Sequence, residues 1–235
     1  HADARDCFVF VHGFNVTFDD AARRTAQIYH DLQFPGVPMF YSWPSRGGLR
    51  HYPSDRNEIG YSKEHVKQFL VGVADNIQAR RIHIIAHSMG GAAVTQAIAE
   101  IERDDVVFDQ IVLAAPDIDA DVFREQLMPK LARHGRRTTL YCSQNDLALH
   151  VSYAFNDFPR AGDSSRGIVV TQDLDTVDAS GIDTDLLGHS YYGDAVRLLD
   201  DVALLLKQNL PPASPQRHLR PLNAIQGAVY WVFGD

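Results

Sequence analysis

The 235-residue sequence predicts an α/β fold with a mostly parallel central sheet and helices on both faces. Short apolar runs alternate with longer stretches of helical periodicity, the pattern of strand–helix–strand crossovers. The runs are continuously apolar, as strands buried on both faces require. The chemically conspicuous residues fall directly after these runs, and open parallel sheets bind ligands beyond the carboxyl ends of their strands.

The first strand is CFVFVH (7–12). Thr17 follows, with Asp20 at capping-box spacing and acidic residues in the first turn, so a helix starts at FDDAARRTAQIYHDL. VPMFYSW (37–43) is the second strand, closed by Pro44 and the Gly47-Gly48 loop. SKEHVKQFLVGVADNIQA (62–79) has helical periodicity. RIHIIAH (81–87) is the third strand, and MGGAAVTQAIAEIE is the helix after it. QIVLAAP (110–116) is a fourth strand, followed by a helix near 120–134, and RTTLYCS (137–143) is a fifth. GIVVTQDL (167–174) reads as a sixth, and DAVRLLDDVALLLKQ (194–208) as a closing helix. No repeat or internal linker divides the chain before PPASP (211–215). The expected organisation is therefore one domain over 1–210 and a tail over 211–235. That tail ends in AVYWVFGD, apolar enough to dock on the domain.

Composition narrows the function classes. Apolar content of 45% and charged content of 22% are those of an ordinary globular chain. A net charge of −8 argues against a nucleic-acid or anionic-membrane surface, which needs a basic face. The one basic cluster, Arg133 to Arg137, follows a helix and reads as cations at a helix C-terminus. No run of apolar residues is long enough to span a bilayer. Cys7 and Cys142 lie in strand-like runs, which suggests buried free thiols. The chain begins at His1 rather than Met, which suggests that the start of the gene product is missing. A signal or anchor there would be lost with it, so the compartment is not legible. Oligomeric state is not legible either.

Three strand ends and a late histidine carry the chemistry. His12-Gly13-Phe14-Asn15 follows the first strand, His87-Ser88-Met89-Gly90 the third, and Gln144-Asn145-Asp146 the fifth. His189 sits in GHSYYGD before the last helix. The order is Ser, Asp, His. A serine hydroxyl is a weak nucleophile until a histidine takes its proton and an acid fixes that histidine's tautomer. A strand–Ser–helix elbow exposes the hydroxyl and aims a helix N-terminus at the developing oxyanion. Its flanking residues must be small. Here they read Ala86-His87-Ser88-Met89-Gly90, with alanine where the usual pattern has its first glycine. A tight packing joint is the plainer explanation of such a turn, and the Ser…Asp…His order weighs against it.

FVHGFNVTFDDAARR, YSWPSRG, IHIIAHSMGG, IVLAAPDID, LYCSQNDLAL and HSYY together resemble the α/β-hydrolase superfamily, and more narrowly a bacterial esterase/lipase-like family of unknown function. The resemblance covers roughly 6–205. It implies the α/β-hydrolase fold, Ser88 as nucleophile, His189 as base, and the backbone N–H groups of Phe14 and Met89 as the oxyanion hole. For the acid, Asp146 follows the strand that usually supplies it, and Asp117 in APDID is the alternative. The plainer role of Asp146 is an N-cap, and that of Asp117 a loop-ordering carboxylate.

The other histidines have simpler roles: His12 orders its loop, His83 packs in a strand, and His87 shapes the elbow. His150 is the rival base. Tyr41, Trp43 and Tyr191, with His12, either line the substrate pocket or pack the loops around it. Asp117, Asp119 and Asp121 have calcium-loop spacing, but Val122 and Met128 stand where such a loop needs Gly and Glu. HExxH, CxxC and a Gly-rich phosphate loop are all missing, so neither metal nor cofactor is expected. The sequence thus predicts a serine hydrolase acting on a small-molecule carboxylic ester through an acyl-enzyme. Its rivals are a thioesterase, peptidase, amidase or acyltransferase with the same triad, and a non-catalytic module that uses the tail as a contact surface.

Overall fold

A computed structural model describes residues 6–46, 51–146, 149–150, 152–153, 157–182, 195–224 and 227–234. Eight strands form one sheet: β1 (Cys7–Val11), β2 (Val37–Tyr41), β3 (Ile82–His87), β4 (Phe108–Ala114), β5 (Gly135–Cys142), β6 (Asp175–Asp178), β7 (Leu219–Asn223) and β8 (Val229–Phe233). Their order across the sheet is β2-β1-β3-β4-β5-β6-β8-β7. Every pairing is parallel except that of β7 with β8. The helices are α1 (Phe18–Asp31), α2 (Tyr52–Asn76), α3 (Met89–Ala99), α4 (Ala120–Val122), α5 (Met128–His134) and α6 (Ala195–Gln208).

Alternate residues of the interior strands β1, β3 and β4 feed two cores. Val9, Val11, Ile84, Ile111 and Leu113 pack with Val66 and Leu70 of α2, Ala93 and Ile98 of α3, and Leu131 of α5. Phe8, Phe10, Ile85 and Val112 pack with Ile28 of α1 and Leu198 and Leu205 of α6. These interior strands are therefore covered on both faces, which explains the apolar sequence of β1 and β3 and of the second half of β4.

The local signals hold with instructive shifts. Thr17 caps α1: its hydroxyl oxygen accepts from the Asp20 amide at 3.2 Å, and the hydroxyl donates to the Asp20 carboxylate at 2.6 Å. Helix α2 starts at Tyr52, ten residues before the periodic stretch suggests. The buried seam Tyr52, Asp55, Ile59, Ser62, Val66, Leu70, Val73 keeps helical spacing throughout but is polar in its first half. The helix near 120–134 is interrupted by a π-turn at Phe123–Leu127, just before Pro129, whose missing N–H interrupts regular helical bonding.

The sixth strand is not GIVVTQDL but Asp175–Asp178. The earlier run is a loop whose Val169 side chain enters the core and whose Val169 carbonyl accepts from the Thr176 hydroxyl at 2.6 Å. Cys7 and Cys142 are buried free thiols. Beyond α6, β8 pairs with β6 and β7 closes the sheet.

Both sheet edges carry a proline. The amide of Val37 in β2 donates to Asp6 beside β1, so the next residue, Pro38, has its nitrogen on the outward edge. At the two ends of the β7–β8 pair, Gly234 donates to the His218 carbonyl and Ala224 to the Ala228 carbonyl. Those bonded pairs place Pro221, paired with Trp231, in an outward-facing position.

Candidate active site

Strand β3 lies in the interior of the sheet between β1 and β4, and Ser88 sits between it and α3. The serine has φ 50° and ψ −121°, a conformation costing on the order of 1–3 kcal/mol for a residue with a Cβ. Its neighbours hold it there. The Ser88 amide donates to the Ala114 carbonyl at 3.0 Å, extending the β3–β4 ladder by one residue. The Ser88 carbonyl accepts from Gly91 at 2.9 Å and from Asp117 at 3.1 Å. The Met89 amide heads α3, where no preceding turn supplies a carbonyl to receive it.

Two close approaches explain the glycines of the motif. A Cβ on Gly90 would lie 2.5 Å from the Val11 carbonyl oxygen and would also strike that of His12, so α3 starts against the end of β1. A Cβ on Gly13 would lie 2.8 Å from His87 Nδ1 and 2.9 Å from Ser88 Cβ. The His12–Phe14 loop therefore lies directly on the elbow.

That loop is braced by the residues after β2. Trp43 is fully buried, donates its indole N–H to the His12 carbonyl at 2.7 Å and stacks on the His12 ring at 5.2 Å. His12 Nδ1 lies 2.8 Å from the Gly13 carbonyl, which only accepts. Burial lowers the His12 pKa, against hydrogen bonds that raise it. A neutral ring therefore donates from Nδ1 and accepts the Ser42 hydroxyl at Nε2, 3.1 Å away. Ser45 accepts the Asn15 amide at 3.0 Å and donates to buried Asp55 at 2.8 Å. His12 and Trp43 thus order the loop. Tyr41 is half-buried with its ring against Phe69 at 5.3 Å.

Asp117 sits next to the elbow in a buried cluster. Arg160 Nε donates to Asp117 Oδ1 at 2.7 Å and Arg160 Nη2 to the Asp117 carbonyl at 2.9 Å. The Ser152 hydroxyl donates to Oδ1 at 2.5 Å, and the Tyr52 hydroxyl donates to Oδ2. Burial, reinforced by the Asp117 carboxylate, pushes the Tyr52 pKa far up, so this phenol stays a donor. Asp146 follows β5, and its Oδ1 accepts the Leu149 amide at 3.0 Å in an N-cap arrangement. The His150 amide bonds the Asp146 carbonyl at 3.1 Å, which sets the rival base on the same turn.

Ser180, just past β6, pins the Asp146 loop. Its hydroxyl accepts the Gln144 amide at 2.8 Å, and its carbonyl accepts from Asn145 Nδ2 at 3.0 Å. The loop that bears Asp146 therefore lies against Ser180 beyond the end of β6. His189 and Tyr191 lie outside the described residues. The sequence gives no local signal for Tyr52, Ser152, Arg160 and Ser180, because their partners lie 35 to 100 residues away in the Asp117 cluster and 35 and 36 residues away for Ser180. No group of three or more His, Cys, Asp or Glu among the described residues is arranged to hold a metal ion. No helix among them is long and apolar enough to cross a membrane.

Residues 1–207 match the family described as alpha/beta hydrolase of unknown function (DUF900). The chain belongs to this family. Its sheet and its strand–Ser–helix junction are those of the α/β-hydrolase fold. Among solved structures, an uncharacterized protein from Bacillus cereus superposes with a TM-score of 0.53 at 15% identity, over 89% of this chain and 62% of that one. This chain thus spans under two thirds of that protein's length. An esterase from Rhizomucor miehei gives 0.51 at 16% identity over 88% and 74%, and carboxyl esterase 2 from Tuber melanosporum gives 0.53 at 12% over 89% and 80%. At these identities the likeness is one of fold. No curated protein matches the chain.

Proposed function

We propose that this DUF900 α/β-hydrolase is a serine hydrolase of small carboxylic esters. The observation that carries the reading is Ser88, held at φ 50° between a central strand and the first turn of a helix. A packing joint needs no such strain, whereas presenting a hydroxyl above a sheet does. Ser88 attacks the ester carbonyl and His189 takes its proton, then returns it to the leaving alcohol. Water, activated by the same histidine, releases the acid from the acyl-enzyme. The amides of Met89 and Phe14 hold the oxyanion, each donor contributing on the order of 10²–10³ in rate.

Asp146 is the acid that orients His189. The Ser180 contacts support this by keeping the Asp146 loop beside Ser180, which precedes the histidine in the chain. The esterases of similar fold from the two fungi favour an ester over the other acyl compounds this apparatus can process.

The test is turnover of short p-nitrophenyl esters. Ser88→Ala is expected to lower kcat by roughly 10⁶ while the protein stays folded. Turnover equal to the parent's would falsify the mechanism.

A further inference from the structure

We propose that Asp117 is a positioning residue, whose clasp by Arg160, Tyr52 and Ser152 holds the Ser88 elbow and the oxyanion loop in register. The inference rests on Ser88 being the nucleophile. Three segments at the carboxyl edge of the sheet meet at this one carboxylate. The segment after β4 supplies Asp117, and its amide bonds the carbonyl of strained Ser88. The start of α2 supplies Tyr52, whose ring packs edge-on against Phe14 in the oxyanion loop at 5.5 Å. The segment after β5 supplies Ser152 and Arg160. Arg160 grips both the carboxylate and the carbonyl of Asp117, so it fixes that residue's backbone as well as its side chain.

The strip around Arg160 is itself zipped onto the strip around Asp117. Ala120 donates to Pro159 at 2.9 Å, Ala161 to Ile118 at 2.8 Å and Gly162 to Pro116 at 3.1 Å. Ser143, at the end of β5, donates to Gly162 at 2.9 Å. Asp117 and Arg160 side chains are both almost fully buried, so the pair is shielded from water and strongly coupled. A serine carbonyl in an unfavourable conformation relaxes unless its acceptor bonds are fixed from outside. The clasp is the outside fixture on one of those two bonds. The donors on the carboxylate are a guanidinium and two hydroxyls, a set that holds a loop rather than one that turns an imidazole.

The test combines amide hydrogen exchange with a pH–rate profile on Tyr52→Phe, Ser152→Ala and Asp117→Asn. Exchange in residues 86–92 and 12–15 is expected to rise by about ten-fold or more, while α6 exchanges as in the parent. Ester kcat is expected to fall by about 10–10² with KM little changed, and the acidic limb of the profile to stay at its pH.

A fall near 10⁴ in Asp117→Asn with loss of the acidic limb would make Asp117 the triad acid and overturn the proposal. So would unchanged exchange at the elbow, or exchange raised equally in α6. If Asp117→Asn does not fold because Arg160 is left unpaired, the two hydroxyl deletions decide the matter. A parent without Ser88-dependent turnover would sink the esterase reading, while the exchange data would still judge the clasp.

Discussion

Ala86 departs from the glycine usual at its place in the elbow motif, and its surroundings show why this is harmless. It is an ordinary strand residue, fully buried and paired with Val11 and Leu113. The crowding falls instead at Gly90 and Gly13. Ala86→Gly is expected to cost about 1–2 kcal/mol in urea unfolding, from backbone freedom and a lost buried methyl, without reducing ester turnover. Gly90→Ala is expected to cost at least as much, about 1–3 kcal/mol, and also to reduce turnover, because α3 must move off the β1 carbonyls. At this scale the motif residues were legible because each belongs to a short contiguous pattern. Trp43 was legible only as an aromatic at a strand end. That it braces His12 rather than simply facing a pocket depends on a contact 31 residues away.

Elements were legible where periodicity and burial coincide, as in β1, β3 and α1. They were not where tertiary contacts replace local signals. The front half of α2 is held by a seam that includes buried Asp55, and no apolar count finds a buried carboxylate that caps a loop. Strand β6 is DTVD, poor in local strand signal, and is set by its parallel register with Thr139 to Cys142 of β5. The same holds for the attachment of the last segment. Arg217 bonds Asp201 of α6 through Nε at 2.6 Å and Nη2 at 2.7 Å, and Tyr141 of β5 donates to that carboxylate at 2.6 Å, all fully buried. Removing one partner of such a pair leaves a buried charge unmatched. Arg217→Met is therefore expected to lower unfolding stability by about 3–5 kcal/mol in urea titrations, far more than loss of the exposed Arg103–Asp105 pair.

Across the whole molecule, fold class and the strand-end position of Ser88 were legible because a parallel sheet imposes both at once: continuous apolar strands, and carboxyl ends gathered along one edge. The opposite end of the sheet adds to the acid response, alongside buried His12, whose pKa burial also lowers. His83 is fully buried beside Phe34, 3.8 Å from Asp109, with Arg81, Arg80 and Asp6 nearby, and burial lowers its pKa to about 4. The unfolded chain protonates this histidine near 6.5 and the native one does not, so stability falls as pH drops from about 6.5 toward 4. Asp6 is desolvated but bonded by Arg80 and Arg81, which hold it down to about 2, so its contribution is lost only below about 4. Urea midpoints between pH 7 and 5 are expected to fall in the parent and to fall less in His83→Gln. Equal slopes would remove His83 from the account.

The edge prolines have a consequence for the protein in a crowded solution. An eight-stranded sheet with two open margins is a template on which identical chains can stack. Pro38, near the start of β2, and Pro221, in the middle of β7, each delete one outward donor at no expense to the internal ladder, so a strand that pairs along either margin meets an unmatched acceptor. The fold thus ends itself on both sides, and replacing both prolines with valine should be read out first as self-association in light scattering, before any change in ester turnover.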